Sequence, residues 1–170
     1  DVWELLGCDE DSEYVHFDFP GLDTVKKRRK GTKEFVWGGL SAPPPLWPLP
    51  ENKLPRVVGI AEGESDCGVL RHLGTHAFAA TKGAKGTGEG GVGADLLREM
   101  KRRGVEKLLV VSDTDSSGSS FRASLLTSAL EVGLACAYVD LAPHCDVTRG
   151  ENDARAVFLR HGGERLREII

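Results

Sequence analysis

No two of the four cysteines lie near each other: Cys8, Cys67, Cys136 and Cys145 are scattered, with no Cys-x-x-Cys pair. Zinc ribbons and disulfide frameworks both need closer or more regular spacing, so the pattern argues against each. Buried or incidental thiols in a reducing cytoplasm are expected instead. The five histidines lack metal-ligand spacing too, and none is assigned a role. No apolar run reaches membrane-spanning length and no signal-peptide pattern occupies the first residues, so a soluble, cytoplasmic protein without a membrane partner is expected. The chain begins with Asp1 rather than Met, and a piece of a longer protein is therefore expected.

The 170 residues suffice for one ordinary domain, or for one with a small appendage, and for a sizeable core. A formal net charge of −4 gives no reason by itself to expect nucleic acid. It conceals a dense basic run, Lys26-Lys27-Arg28-Arg29-Lys30 with Lys33 close behind. Such a run suits the phosphates of a template strand or RNA–DNA hybrid, bound more weakly as salt rises, and equally suits a solvated turn.

The chain changes character near residue 55. Before it, alternating segments such as Tyr14-Val15-His16-Phe17-Asp18-Phe19 and Glu34-Phe35-Val36-Trp37, separated by Pro20-Gly21 and Gly31-Thr32, predict a small antiparallel meander. The connector Ala42-Pro43-Pro44-Pro45-Leu46-Trp47-Pro48-Leu49-Pro50 cannot be helix or central strand and is expected to run extended over the surface. Trp37 and Trp47 suit base stacking or a plug between the small sheet and the larger domain. After Pro55, strands over 56–61, 76–80, 107–112 and 135–140 alternate with helices over 65–73, 94–103 and 119–132, and a last helix starts near Asn152-Asp153. That alternation predicts an α/β fold, a mostly parallel sheet flanked by helices, with domains at 1–54 and 55–170.

Two of the predicted strands end in acids: Val57-Val58-Gly59-Ile60-Ala61 runs into Glu62-Gly63-Glu64-Ser65-Asp66, and Leu108-Leu109-Val110-Val111-Ser112 into Asp113-Thr114-Asp115-Ser116-Ser117-Gly118. Ligands of open α/β sheets bind beyond the carboxyl ends of the strands. Glu62, Asp113 and Asp115 are thus candidates to converge, and converging carboxylates stay ionised only with a divalent cation between them, which points to Mg²⁺ or Mn²⁺. Asp66 reads as a helix-start residue with Ser65 capping. The Gly-rich loop from Lys82 to Gly93 could bring Lys82 and Lys85 to phosphates, or serve as a hinge.

Other patterns fit less well. Gly88-x-Gly90-x-x-Gly93 spells the dinucleotide fingerprint of a Rossmann-like domain, but Thr81 to Thr87 separate it from its strand. Asp115-Ser116-Ser117-Gly118-Ser119 spells a metal-dependent adhesion motif, and Asp113-x-Asp115 a haloacid-type phosphatase motif, but too little chain, and no later strand ending in Lys, comes after them. Neither accounts for Glu62.

A strand ending in Glu-Gly-x-x-Asp, then a strand ending in Asp-x-Asp-x-x-Gly, resembles the TOPRIM domain of primases, topoisomerases and some nucleases; the likeness covers residues 56–157. The segment from Lys33 through Trp37 to Leu49 resembles the stretch before TOPRIM in phage-type primases and primase-helicases. Asp146-Val147-Thr148-Arg149-Gly150-Glu151-Asn152-Asp153 resembles the family's late acidic element, with Asn152 intruding; Asp146, Glu151 and Asp153 compete for the site, and Asp153 is carried as a further metal ligand. The resemblance implies magnesium-dependent nucleotidyl transfer, primer synthesis on a single-stranded DNA template from nucleoside triphosphates, with a replicative helicase fused or separate. It also implies roles: Asp113 and Asp115 would bind the metal carrying the triphosphate, and Glu62 a metal shared with the attacking hydroxyl or that hydroxyl's proton. Gly63 and Gly118 would admit the phosphates closely. Lys26, Lys27, Arg28, Arg29, Lys30 and Lys33 would bind nucleic acid. Within the same fold the alternatives are a TOPRIM nuclease, a topoisomerase fragment and a non-catalytic nucleic-acid-binding module; a topoisomerase needs a nucleophilic tyrosine, and Tyr14 and Tyr138 both lie in predicted strands.

Overall fold

The computed structural model describes residues 3, 8–32, 34–39, 43–87 and 91–170. Two sheets organise them. A three-stranded antiparallel meander is formed by β1 (Tyr14–Asp18), β2 (Thr24–Arg29) and β3 (Phe35–Gly39), with Phe17 opposite Lys26 and Lys26 opposite Trp37. A five-stranded sheet has the order β4-β6-β5-β7-β8, from β4 (Leu46–Trp47), β5 (Val57–Ala61), β6 (Ala77–Ala80), β7 (Lys107–Val111) and β8 (Ala135–Tyr138). Its last four strands are parallel and β4 runs antiparallel to β6.

The strands are continuous apolar runs because helices cover both faces of the sheet. Helices α2 (Ala94–Arg102) and α3 (Ser116–Val132) bury Leu97, Met100, Phe121, Leu125 and Ala129 on one face with Val58, Ile60, Leu108 and Val110. On the other, α1 (Glu64–His72) and α4 (Ala154–Ile169) pack Val69, Leu70, Val157 and Leu166 against Ala61, Ala77, Ala79 and Val111. Gly133 stops α3 in the left-handed conformation, with φ of 67°, where a side chain would be strained.

The connector departs from expectation. Leu46 is buried and Leu46 and Trp47 pair with Ala80 and Ala79, so the segment supplies an edge strand to the larger sheet rather than running free over the surface. An edge strand needs hydrogen bonds on one side only, which is why prolines are tolerated around it. Helix α3 begins at Ser116, three residues before its expected start, because Asp115 caps it. The Gly-rich loop contains a short 3-10 turn, Gly83–Gly86; Gly88 and Gly90 of the dinucleotide pattern lie outside the described residues.

Central strand β5 has β6 on one side and β7 on the other, so the chain reverses its direction of winding beside β5. In such sheets a crevice opens at the carboxyl ends where the strand order reverses. Glu62 follows β5, and Asp113 lies two residues beyond β7.

Candidate active site at the carboxyl edge of the sheet

The register of β5 and β7 sets Ala61 beside Val111, and the Glu62 amide continues the ladder to the Val111 carbonyl at 3.0 Å. Its side chain reaches across: Glu62 Oε2 accepts the Asp113 backbone N–H at 3.2 Å, and Oε1 accepts the Ser117 hydroxyl at 3.2 Å. Asn152 holds the neighbouring loop, donating its amide to Asp113 Oδ2 at 3.3 Å and accepting the Thr114 N–H on its carbonyl at 2.8 Å. The residue that interrupts the late acidic element thus docks that element onto Asp113. Glu62 and Asp113 are brought together; Asp115 is not. Its Oδ1 accepts the Gly118 N–H at 2.9 Å as the cap of α3, and it does not line the cleft that Glu62 and Asp113 line.

Asp66 joins the group. It is the third residue of α1, in the first turn of the helix that follows Glu62 and Gly63, and it is only 5% exposed. Its Oδ1 accepts the Arg155 N–H at 3.0 Å. Burial, then the carboxylates of Asp153, Asp113 and Glu62, push its pKa well above the ordinary aspartate range. The sequence showed Asp66 as a helix-start residue and as the closing Asp of the Glu62-Gly63-x-x-Asp66 pattern, and that pattern was the signal for its place here. Of the three late acids, Asp153 lines the cleft, while its Oδ1 caps α4 through the Ala156 N–H at 2.6 Å. Asp146 and Glu151 are held elsewhere by Thr148 and Arg160.

The cleft encloses about 610 Å³. Opposite the carboxylates stands the inner face of the small sheet, with Lys26, Arg28, Phe35 and Trp37; Gly63, Lys82, Gly83 and Lys85 complete the rim. Strand alternation splits the basic run. Lys26, 5% exposed, donates to Glu64 Oε1 and to the Thr81 carbonyl, both at 2.6 Å, and its ammonium sits 4.1 Å from the Phe35 ring centroid. Arg29 pairs with Glu13 at 2.8 Å and Lys30 with Glu10 at 3.1 Å. Lys27 follows Lys26 in the strand and so points to the other face, and Lys33 lies outside the described residues. A run that reads as one patch is therefore an inward pair, Lys26 and Arg28, and outward residues of which two are already neutralised. Trp37 lines the cleft, stacked on Phe19 with centroids 6.1 Å apart. Trp47 instead joins the sheets, edge-on to Phe17 at 5.3 Å and donating to the Asp18 carbonyl at 3.1 Å. Gly118 is outside the cleft lining; a Cβ there would meet the Asp113 carbonyl oxygen at 1.9 Å, so its need is close packing of α3 on the Asp113 loop.

Among the described residues no three Asp, Glu, His or Cys side chains stand close enough to hold a metal ion as they are. The donor chemistry nevertheless fits a hard divalent cation: Glu62, Asp113, Asp66 and Asp153 present carboxylate oxygen only, and Asp66 is held near three others against its burial. No described helix is long and apolar enough to cross a membrane.

No family model and no curated protein matches the chain. Solved structures do. The primase fragment of the bacteriophage T7 primase-helicase is similar over 99% of this chain and 68% of its own, with TM-score 0.66 and 16% identity. The primase domains in a structure of the bacteriophage T7 lagging-strand DNA polymerase, bound to an RNA/DNA hybrid and dTTP, match over 99% and 84%, with TM-score 0.65 and 17% identity. The zinc-binding and RNA polymerase domains of the Aquifex aeolicus primase match over 92% of this chain but 38% of their own, with TM-score 0.60 and 15% identity. The chain has the fold of primase TOPRIM regions: a mostly parallel sheet between helices, with a small antiparallel sheet before it.

Proposed function

We propose that this chain is the catalytic region of a DNA primase, polymerising nucleotides on single-stranded DNA by magnesium-dependent nucleotidyl transfer. The observation that carries the reading is the meeting of Glu62 and Asp113 where the strand order reverses, across a 610 Å³ cleft from a cationic and aromatic wall, in a fold shared with primases.

Glu62 and Asp113 would hold the cation, with Asp66 and Asp153 flanking, and Asp115 would join only by leaving its cap. When bound, a divalent cation neutralises charge developing on phosphate oxygens. Everything else falls to the chain. Ser117 and the Asp113 amide orient the Glu62 carboxylate, which accepts the proton of the attacking hydroxyl as that oxygen bonds the α-phosphorus of the incoming triphosphate and pyrophosphate leaves. Lys82 and Lys85 face the triphosphate from the rim, and Arg28 and Trp37 face the strand from the small sheet. The domains at 1–54 and 55–170 divide the work this way, apart from β4, which belongs to the larger sheet. Nucleoside triphosphates, single-stranded DNA and a helicase, fused or separate, are the partners in a cytoplasmic setting.

The test is template-directed incorporation of labelled ribonucleotides on single-stranded DNA with Mg²⁺ or Mn²⁺. Asp113→Asn and Glu62→Gln should each lower incorporation by roughly 10²-fold or more while circular dichroism stays unchanged. Undiminished synthesis by both variants would falsify the assignment, and metal-dependent cleavage of the strand without incorporation would turn the reading to a nuclease.

A further inference from the structure

A second cavity of about 380 Å³, which shares Arg28 with the cleft, is lined by Trp3, Arg28, Arg29, Lys30, Thr32 and Arg155. Arg29 and Lys30 are already paired with glutamates. Arg28 and Arg155 are different: among the described residues no carboxylate lies within ion-pair distance of either guanidinium. They approach the same indole, with Arg155 Cζ 4.9 Å and Arg28 Cζ 5.5 Å from the Trp3 ring centroid. Burial and then the Arg155 charge disfavour the charged form of Arg28, opposed by the carboxylates of Asp153, Glu64 and Asp66. Arg155 Nε is sealed from solvent without a hydrogen-bond partner, whereas Arg28 Nε donates to the Thr32 carbonyl at 3.1 Å and so has its fork fixed.

We infer that Arg28, Arg155 and Trp3 form a phosphate-binding subsite beside the cleft. Two guanidiniums held against one aromatic ring repel each other, and the Nε of Arg155 has no acceptor; a phosphate supplies the negative charge that both lack and the acceptor oxygen that Arg155 lacks. Because Arg28 lines the cleft as well, a phosphodiester on a strand leaving the cleft reaches the cavity directly. A phosphate of a free nucleotide has the same chemistry, and the experiment separates the two. The anion site itself stands on the arginines; its use by a strand rests on the primase reading.

Arg155→Gln removes the charge without touching the carboxylate rim. Fluorescence anisotropy of a labelled single-stranded oligonucleotide, in EDTA so that no synthesis is involved, should show binding weakened about 5- to 20-fold and a salt dependence lowered by about one unit of slope. Arg155→Lys should restore part of the affinity. A parallel titration with ATP in EDTA assigns the source: weakening for the oligonucleotide alone marks a strand phosphate, weakening for ATP a nucleotide phosphate. Unchanged affinity for both ligands overturns the subsite, even if the cleft synthesises primers. Should Arg155→Gln fail to fold, phenylglyoxal labelling of the unaltered protein decides the matter: Arg28 and Arg155 protected by oligonucleotide or ATP supports the subsite, and equal labelling with and without both overturns it.

Discussion

Glu64 and Asp66 sit two residues apart on α1, both nearly closed to solvent, yet their surroundings are opposite. Glu64 faces the small sheet and receives the Lys26 ammonium at 2.6 Å, with Lys26 also bonded to the Thr81 carbonyl. Asp66 faces the rim and receives one backbone N–H, among Asp153, Asp113 and Glu62. One charge is matched inside the protein, and the other meets only further carboxylates and one backbone N–H. An ion pair buried between a strand and a helix serves architecture, whereas a buried carboxylate among carboxylates is the kind of perturbed group that clusters at functional sites. The contrast explains why a chain with acids at 62, 64 and 66 does not simply repel itself apart there.

Breaking the matched side should have the largest effect. Lys26→Met leaves Glu64, 3% exposed, as a buried charge without a partner, and is expected to destabilise by about 3–5 kcal/mol in urea titration. Burial already raises the Glu64 pKa with Lys26 opposing the rise, so the variant should favour protonated Glu64 and unfold less readily in acid than at neutral pH. Lys26→Met combined with Glu64→Leu should recover most of the loss. A single variant as stable as the parent would show that the pair contributes nothing to holding the small sheet on α1.

Gly118→Ala should act next, on the geometry of the unmatched side. Its Cβ would fall 1.9 Å from the Asp113 carbonyl oxygen and 2.9 Å from the Asp113 nitrogen, both backbone, so α3 or the Asp113 loop must move. A loss of about 1–3 kcal/mol is expected. Melting should fall by roughly 2–4 °C for each kcal/mol. Primer synthesis should fall further than the melt, because Asp113 shifts from Glu62. Activity that drops only in step with stability would separate the helix contact from the site.

Much of this contrast could be read from the chain, and some could not. The strands after residue 55 were legible because both faces are covered and apolar runs result, and the acids at their ends follow from the α/β rule that sites lie at carboxyl ends. Glu62 with Asp113 followed from that logic. Asp115 did not, since the same Asp that reads as a metal ligand also reads as a helix cap, and only the position of Ser116 decides between them. Lys26 and Glu64 are 38 positions apart, and no local pattern links a strand lysine to a helix glutamate across a sheet junction. The basic run divides for a simpler reason: a strand sends successive side chains to opposite faces, so Lys26 and Lys27 part company and, of its described residues, only Lys26 and Arg28 reach the cleft.

The finest discrimination comes from Asp66→Asn, which sharpens the comparison without breaking it. Asn retains an oxygen for the Arg155 N–H. The folded pKa of Asp66 lies above its unfolded value, near 3.9, so the folded protein holds this proton more tightly. Its contribution is fully present in acid and is lost as pH rises from about 4 through the raised pKa. The carboxylates of Asp11 and Glu99, both lowered to about 2, act in the opposite sense below pH 4, but they are common to both proteins and cancel. The difference in melting temperature, variant minus parent, should therefore grow more positive between pH 4 and pH 8. Magnesium at pH 8 should stabilise the parent more than the variant and narrow that difference, because a cation bound only to the folded state adds stability in proportion to its affinity. Parallel pH curves would show that the carboxylates around Asp66 do not reach it, and an equal magnesium response in the two proteins would remove Asp66 from the cation's surroundings.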